Sequence, residues 1–205
     1  DLYAYLVTDE TSVDERLAKL ADALRRRAPK LESRAIDVKG RYLADMENVR
    51  LLYNSAWKDN WGAIDISASE MGVIAKGLKQ IANPRLTRIA FVEGRPAGCL
   101  VAVPNINEIL PSVNGRLFPF GWLKILTGLK KLKGFRIMLM GVAEEFRGKG
   151  VEVMMIADIV QEGRKLGQQY CEMSWVLETN DPMNALARKI GEQYRTYRLY
   201  EGLVQ

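Results

Sequence analysis

The chain has 205 residues, of which 48% are hydrophobic and 27% charged, with a formal net charge of +5 and a pI of about 9.2. This composition is typical of a globular protein with enough apolar material for one large core, with or without an appendage. The sequence contains no histidine, which excludes Ser-His and Cys-His triads and most zinc sites and leaves a general base to Glu, Asp or water.

Residue patterns exclude further kinds of site and partner. Cys99 and Cys171 lie within apolar runs, so we expect two free thiols in a reducing compartment and no metal site. Basic residues are not interleaved with aromatic ones, so no nucleic acid partner is expected. There is no signal-peptide pattern and no apolar run of 18 residues, and we expect a cytoplasmic location.

The first thirty residues are predicted to form a strand and a helix. DLYAYLV has the pattern of a strand, and Ser12 with Glu15 forms the capping-box pattern that begins a helix. Because the chain opens at Asp1 without a methionine, we expect the native protein to continue upstream. Residues 1–30 would then either end an upstream domain or dock on residues 31–205.

Residues 31–205 are predicted to form one α/β domain. Apolar residues alternate in its strands and recur at helical spacing in its helices. The order of elements is strand, two helices, three strands, helix, strand, helix and strand. The predicted strands cover residues 31–37, 88–92, 97–104, 135–142, 170–177 and 194–200, and the predicted helices 42–57, 67–81, 150–166 and 181–191. An irregular insert, residues 105–134, separates the third of these strands from the fourth.

The junction R-G-K-G, residues 147–150, is the strongest functional motif, since it follows an apolar strand and precedes a helix. Gly148 and Gly150 allow a sharp turn that brings backbone N–H groups close to an anion. The helix adds unsatisfied donors and the positive end of its dipole. Arg147 and Lys149 add full charges. This arrangement is typical of a phosphate site, although a plain solvent-exposed turn can carry the same short motif.

Longer stretches around this motif resemble the GCN5-related N-acetyltransferase (GNAT) superfamily. VAEEFRGKGVE resembles the signature R/Q-x-x-G-x-G/A that follows the superfamily's fourth strand, and SWVLETNDPMNALARKIG resembles its fifth strand, Asn and next helix. The predicted order of elements over residues 31–200 matches as well. The resemblance implies a mixed, largely antiparallel central sheet flanked by helices, which is the acyl-CoA N-acyltransferase fold. It also implies acetyl-CoA or a longer acyl-CoA as co-substrate.

The resemblance assigns roles to individual residues. The cofactor-binding positions that it implies are Met140, Val142, Arg147, Gly148, Lys149, Gly150, Val151 and Asn180. In the superfamily the loop holds the pyrophosphate, the strand backbone pairs with the pantetheine arm, and the Asn holds that arm near the thioester. Glu152 departs from the last small residue of the signature, and Ala187 stands where a general-acid Tyr is frequent. Because a carboxylate would repel a pyrophosphate, Glu152 is expected to point away.

For the reaction, the resemblance implies direct attack of an amine on a thioester, with the oxyanion held by a backbone N–H near Val142. The candidate bases are Glu108, Glu144, Glu172 and Glu178. We favour Glu178, which is expected to face the cleft beside Asn180. Tyr194 is the candidate that replaces the missing acid. Surface carboxylates and sheet-packing tyrosines are the alternative interpretations of these residues.

Two features of the sequence bear on the acceptor: the insert, and a resemblance to one group of proteins within the superfamily. Within residues 117–133, apolar residues recur at helical spacing with lysines away from them, which favours a membrane interface, an acyl chain, or a helix packed on the sheet. P-N-I-N-E, F-P-F-G-W and S-W-V-L-E-x-N resemble a bacterial subgroup of uncharacterised acyltransferase-like proteins related to bacterial ceramide synthases, which implies a lipid amine. The candidate acceptor residues are Trp57, Trp61, Asn105, Asn107, Glu108 and Trp122.

Three functions follow from these patterns. The first is a CoA-dependent N-acyltransferase that moves an acyl group from acyl-CoA to a primary amine. The second is a degenerate GNAT domain that acts as an acyl-CoA-binding or structural module, which Glu152 and Ala187 favour. The third is a peripheral protein that binds anionic lipid through the lysine-rich insert.

Overall fold

The structure, a computed structural model, describes residues 1–8, 13–28, 30–58, 60 and 62–202. Its strands are β1 (Leu2–Thr8), β2 (Leu31–Ala35), β3 (Arg88–Val92), β4 (Arg95–Pro104), β5 (Gly134–Val142), β6 (Tyr170–Leu177) and β7 (Glu192–Tyr197). Its helices are α1 (Val13–Arg27), α2 (Tyr42–Trp57), α3 (Ala68–Ile81), α4 (Leu110–Val113), α5 (Gly121–Gly128), α6 (Val151–Lys165) and α7 (Asp181–Ile190).

The seven strands form one sheet in the order β2-β3-β4-β5-β6-β1-β7. Every neighbouring pair is antiparallel except β5 and β6, which run parallel. The prediction of a mixed, largely antiparallel sheet flanked by helices is confirmed. From β2 onward the elements follow the predicted order, with α4 and α5 added inside the insert 105–134.

Helices cover both faces of the sheet. On the face that we call the α6 face, α1, α6 and α7 pack against strand residues such as Tyr5 and Phe135. On the α2 face, α2 and α3 pack over Ile89 and Cys99. Complete burial raises the pKa of the Cys99 thiol to about 12, so this free cysteine is an inert part of the core. None of the described helices is both long enough and apolar enough to span a membrane.

Strand β1 occupies an interior position of the sheet, antiparallel to both β6 and β7. Tyr5 is fully buried there, and its hydroxyl donates to Oδ1 of Asn184 in α7 at 2.8 Å. Asn184 in turn donates from Nδ2 to the carbonyls of Leu177 and Glu178 at 2.9 and 3.1 Å. Helix α1 packs along α6. The described parts of residues 1–30 are therefore joined to the sheet and core of this domain.

Replacing Tyr5 by Phe is expected to lower the free energy of unfolding by about 1–3 kcal/mol, because the buried Asn184 Oδ1 loses its donor. The matched control is Tyr200→Phe, at a side chain that is 86% exposed, which should change stability by less than about 0.5 kcal/mol. Urea denaturation of both variants measures the difference. A Tyr5 variant as stable as the control would contradict a role for this bond in holding β1 to α7.

Candidate functional site

Pairing between β5 and β6 ends part-way along the two strands. The parallel register ends where Ile137 lies opposite Met173, and no later pair joins the described residues of these strands. At the next residue the register with β4 also shifts, so that Met138 lies opposite no residue of β4. Such a bulge adds one residue to a strand and bends it. From Met138 onward β5 and β6 therefore separate and leave a cleft within the sheet.

The cleft has a volume of about 1120 Å³, and elements from both faces of the sheet line it. Six apolar or aromatic side chains form what we call the apolar wall: Leu2, Tyr53, Trp57, Met138, Trp175 and Leu199. The charged side chains among the described lining residues are Arg147, Glu152 and Lys189. They belong to the R-G-K-G loop, to the first turn of α6 and to α7. The cleft thus has a charged end at the loop and an uncharged wall.

The R-G-K-G loop leads into α6 at the charged end. Gly148 and Gly150 have φ angles of +72° and +81°, in the left-handed region that favours glycine, and Gly150 is the N-cap of the helix. No side chain caps the first N–H groups of α6. Arg147 lines the cleft and donates from Nη2 to a carbonyl at the end of α2 at 3.3 Å. Lys149 Nζ lies 5.2 Å from the centroid of the Phe146 ring. These donors and charges can hold an anion.

Val151 and Glu152 are the first residues of α6. The Val151 side chain is fully buried, so only its backbone can face an anion. Glu152 lines the cleft, and its Oε2 is buried without a hydrogen-bond partner in the described part of the chain. Glu152 thus lies at the cleft, and the expectation that its carboxylate points away from a pyrophosphate stays a prediction. The positive end of the α6 dipole stabilises the carboxylate in this position.

Three further predicted cofactor residues, Met140, Val142 and Asn180, line the cleft. The first two lie on β5 beyond the bulge, where one edge of the strand faces the cleft. Asn180 is the N-cap of α7, and its Oδ1 accepts a hydrogen bond from the backbone N–H of Met183 at 3.2 Å. The roles of these residues toward a cofactor stay predictions.

Trp57 packs on the backbone of β5 beside the cleft. Its ring stacks on Tyr53, with the ring centroids 5.1 Å apart. The ring also lies so close to Gly141 that an added Cβ would be 2.1 Å from its Cζ3 atom. Glycine at this position therefore allows the tryptophan to cover the strand. Trp61, the second predicted tryptophan, lies outside the described residues.

Neither predicted catalytic residue lines the cleft. Glu178 is not among the lining residues, although Leu177 and Asn180 on either side of it are. Tyr194 lies on β7, three strands from β5 and therefore roughly 14 Å away. Burial and a hydrogen bond to Glu172 raise the pKa of its hydroxyl to about 12. Their catalytic roles stay predictions.

The predicted acceptor residues of the insert also lie away from the cleft. These residues are Asn105, Asn107, Glu108 and Trp122. The Glu108 carboxylate accepts hydrogen bonds from the backbone N–H of Gly134 at 2.9 Å and from the Tyr170 hydroxyl at 2.7 Å. Asn105 donates from Nδ2 to the same hydroxyl at 2.8 Å. These bonds tie the insert to the beginnings of β5 and β6, so its polar residues do not line this cleft, and their role toward an acceptor stays a prediction.

Most of the apolar wall escaped the sequence reasoning. The bulge that exposes Met138 has no sequence signal. Leu2 lies in the segment whose attachment was left open. One lining surface could have been predicted from the sequence, since Pro182, Leu186 and Lys189 recur at helical spacing along α7. In the described part of the chain, no three Cys, Asp or Glu side chains come together in a way that could hold a metal ion.

Known proteins resemble the chain over most of its length, although no protein-family model matches it. The bacterial ceramide synthase of Caulobacter vibrioides (strain NA1000 / CB15N) is 36% identical over 209 aligned residues, which covers 98% of this chain and 53% of that protein. The GCN5-related glucosamine N-acetyltransferase region of a fungal multi-domain GH3 β-N-acetylglucosaminidase superposes with a TM-score of 0.57 at 13% identity, over 95% of this chain and 20% of that one. The chain has the fold of the GCN5-related N-acetyltransferases.

A third comparison adds a GNAT-fold structure of similar size. AAC(6')-Iy, solved with the bisubstrate analogue CoA-S-monomethyl-acetylneamine, superposes with a TM-score of 0.55 at 15% identity, over 84% of this chain and 99% of that one. The GNAT fold expected from the R-G-K-G region is thus confirmed, as is the resemblance to bacterial ceramide synthase. The chain spans about half the length of the curated relatives it matches.

Replacing Gly150 by Ala is expected to destabilise the fold more than replacing Gly148 by Ala. Both residues have positive φ, which costs another residue about 1–3 kcal/mol. A Cβ at Gly150 would also lie 2.7 Å from Cδ2 of Leu24 in α1, whereas nothing lies within 4 Å of a Cβ at Gly148. Adding Leu24→Ala to Gly150→Ala should recover part of the excess loss, relative to Leu24→Ala alone. Urea denaturation measures this, and equal losses at the two glycines would contradict contact between α1 and the loop.

Proposed function

We propose that the chain is an acyl-CoA-dependent N-acyltransferase domain, which moves an acyl group from acyl-CoA to a primary amine that carries an apolar chain. The observation that carries this proposal is the cleft that opens at Met138, because it joins an anion-binding loop at one end to an apolar wall beside it.

The charged end of the cleft and the free edge of β5 fit acyl-CoA, the donor of the acyl group. The N–H groups at the beginning of α6, with Arg147 and Lys149, would hold the pyrophosphate of coenzyme A. The five residues from Met138 to Val142 present a strand edge to the cleft, and an amide chain can add to such an edge by backbone hydrogen bonds. AAC(6')-Iy, which shares the fold, was solved with a CoA-containing analogue, and this supports the donor. When bound, acyl-CoA supplies the thioester that the amine attacks.

The bulge is the place for the reacting carbonyl. The Met138 backbone has no register partner on β4 or β6, and in this proposal its N–H would donate to the developing oxyanion. We place this hydrogen-bond donor to the oxyanion at Met138. The position near Val142 lies four residues beyond the point where the strands separate. In the reaction the amine nitrogen bonds to the carbonyl carbon, the C–S bond breaks, and the thiolate leaves. Glu152, the only carboxylate among the described lining residues, lies at the charged end, so the amine gives its proton to water.

The apolar wall selects the acceptor. Met138, Trp175 and Leu199 are 59%, 63% and 59% exposed, and large apolar side chains exposed together at a cleft indicate a ligand. None of the wall residues carries a charge, so a polycationic amine would find no partner there. A primary amine with a hydrocarbon chain buries this surface instead. The name of the related bacterial ceramide synthase supports a lipid amine.

The function is tested by measuring thiol release from acyl-CoA with primary alkylamines of increasing length and with a polyamine of equal carbon number. Each buried methylene contributes about 0.8 kcal/mol, so kcat/KM is expected to rise roughly fourfold per carbon until the wall is filled. Trp175→Ala should flatten this dependence. Arg147→Ala should weaken acyl-CoA binding, measured by thermal shift, and leave the dependence on amine length unchanged.

Two results of this experiment would contradict the proposal. Equal rates with the polyamine and the alkylamines would remove the role of the apolar wall. Binding of acyl-CoA without thiol release for any amine would favour the alternative, an acyl-CoA-binding module, to which the Glu152 carboxylate beside the loop points. Loss of the thermal shift in Arg147→Ala would still locate the ligand in that case.

The insert favours attachment of this enzyme to an anionic membrane surface. Seven large apolar side chains of residues 117–129 are between 41% and 81% exposed: Leu117, Phe118, Phe120, Trp122, Leu123, Leu126 and Leu129. The insert, residues 105–134, contains five Lys or Arg and one acidic residue, Glu108. An apolar surface on a segment rich in cations fits a bilayer interface. The insert joins β5 four residues before the bulge, about 13 Å along the strand, so attachment would bring the apolar wall close to the lipid.

Flotation with vesicles tests this surface. The protein is expected to float with vesicles that contain phosphatidylserine and to be released in part by about 0.5 M salt, which screens the charges. Phe118→Ser combined with Phe120→Ser should abolish flotation, whereas Leu43→Ser, at a side chain of α2 that is 76% exposed, should not. Equal effects of the insert and control variants, or self-association of the protein in place of vesicle binding, would contradict membrane attachment.

A further inference from the structure

A polar cluster lies on β5 and β6 next to the point where they separate. Arg136 Nη2 lies 3.0 Å from Glu172 Oε1 and donates to Ser174 Oγ at 2.8 Å. Ser174 Oγ donates to the same Glu172 oxygen at 2.6 Å. Glu172 is only 5% exposed. Of these three residues, Ser174 is the one that lines the cleft.

Strand alternation places this cluster on the α2 face of the sheet. The strand neighbours of Arg136 and Glu172 pack in the core on the α6 face; they are Phe135, Ile137, Cys171 and Met173. Arg136 and Glu172 therefore point to the opposite face. The Ser174 hydroxyl is bonded to both and lies on the same face, where the end of α2 lines the cleft.

The cluster fixes the direction of the Ser174 hydroxyl. A hydroxyl has one proton to donate and two lone pairs that accept. The proton goes to Glu172, and one lone pair accepts from Arg136. A guanidinium only donates and a carboxylate only accepts, so this direction cannot reverse while both groups keep their charges. The second lone pair of Ser174 is left for a donor in the cleft.

We infer that Ser174 positions the acceptor amine by accepting a hydrogen bond from its N–H group, an inference that rests on the proposed function. Ser174 is the first residue of β6 beyond the last pair with β5, as Met138 is on β5. An amine bound to it therefore lies across the opening of the cleft from the bulge. A hydroxyl that donated to the amine nitrogen would occupy the lone pair that must attack the thioester. Because Ser174 accepts, that lone pair stays free.

Arg136 and Glu172 act through Ser174 and are positioning residues. The ionised Glu172 takes the hydroxyl proton away from the cleft. In Glu172→Gln the side-chain amide can donate to Ser174, which would let the hydroxyl turn and donate toward the amine. The charge of Glu172 thus determines whether the cleft meets an acceptor or a donor at this position.

The test compares Ser174→Ala, Ser174→Thr and the control Ser112→Ala, a serine of the insert whose hydroxyl bonds to the Ile109 carbonyl. Ser174→Ala is expected to lower kcat/KM for the amine roughly 3- to 10-fold, the loss of one neutral hydrogen bond of about 1 kcal/mol. Acyl-CoA binding, measured by thermal shift, and acyl-CoA hydrolysis without amine should stay within about twofold. Ser174→Thr keeps the hydroxyl and should restore most of the rate, and Ser112→Ala should match the wild type.

The inference is overturned if Ser174→Ala acylates amines within twofold of the wild type, or if it weakens acyl-CoA binding as much as it lowers kcat/KM. Glu172→Gln is a second test of the inference. It should lower kcat/KM for the amine although Ser174 is still present. Its folding is checked by urea denaturation, because the variant leaves Arg136 without its charged partner. If the wild type acylates no amine, the proposed function fails first, and the wild-type assay alone shows it.

Discussion

Met138 adds one residue to β5 that has no partner on β4, and the pairing of β5 with β6 ends at the same place. Continued pairing would satisfy the two strand edges with each other and leave no room between them. The bulge bends β5 away, so backbone N–H and C=O groups along the rest of the strand face a cleft. Backbone groups that lose a partner must find another. The same irregularity therefore creates the space and makes it suited to a ligand with amide groups.

The first two elements of the chain support both ends of this cleft. Leu24 of α1 lies against Gly150, so the helix covers the loop and limits the residue at its turn to glycine. Leu2 of β1 belongs to the apolar wall. By pairing with β6 on the edge away from the cleft, β1 also holds the strand that carries Ser174. Residues 1–30, whose attachment the sequence left open, thus help to shape the site.

Local features of the site could be predicted from the sequence, whereas distances between elements could not. The conformation of the R-G-K-G loop depends only on the strand before it and the helix after it. The structure has this loop at the position that its glycines and cations predict. The distance of Tyr194 from β5 could not be predicted, because β1 enters the sheet between β6 and β7, a strand order that no short pattern records.

Strand length separates the insert from the R-G-K-G loop. The insert ends where β5 begins and the loop follows where β5 ends, and nine residues of strand separate the two by about 30 Å. A polar residue at the insert end of β5, such as Glu108, therefore lies far from the loop, whereas the bulge is only four residues, about 13 Å, from the insert.

In the proposed acceptor site, different interactions determine the affinity for the amine and the orientation of its nitrogen, as their free energies show. A neutral hydrogen bond to Ser174 contributes about 1 kcal/mol net, whereas each buried methylene contributes about 0.8 kcal/mol. An acceptor that buries six methylenes on the apolar wall therefore gains roughly 5 kcal/mol, several times the contribution of the hydroxyl. Burial of the chain determines which amine binds, and the direction of one hydroxyl determines how its nitrogen is presented. A site of this kind needs no charge on its wall, because specificity for an amine arises at the bulge and specificity for its length arises along the wall.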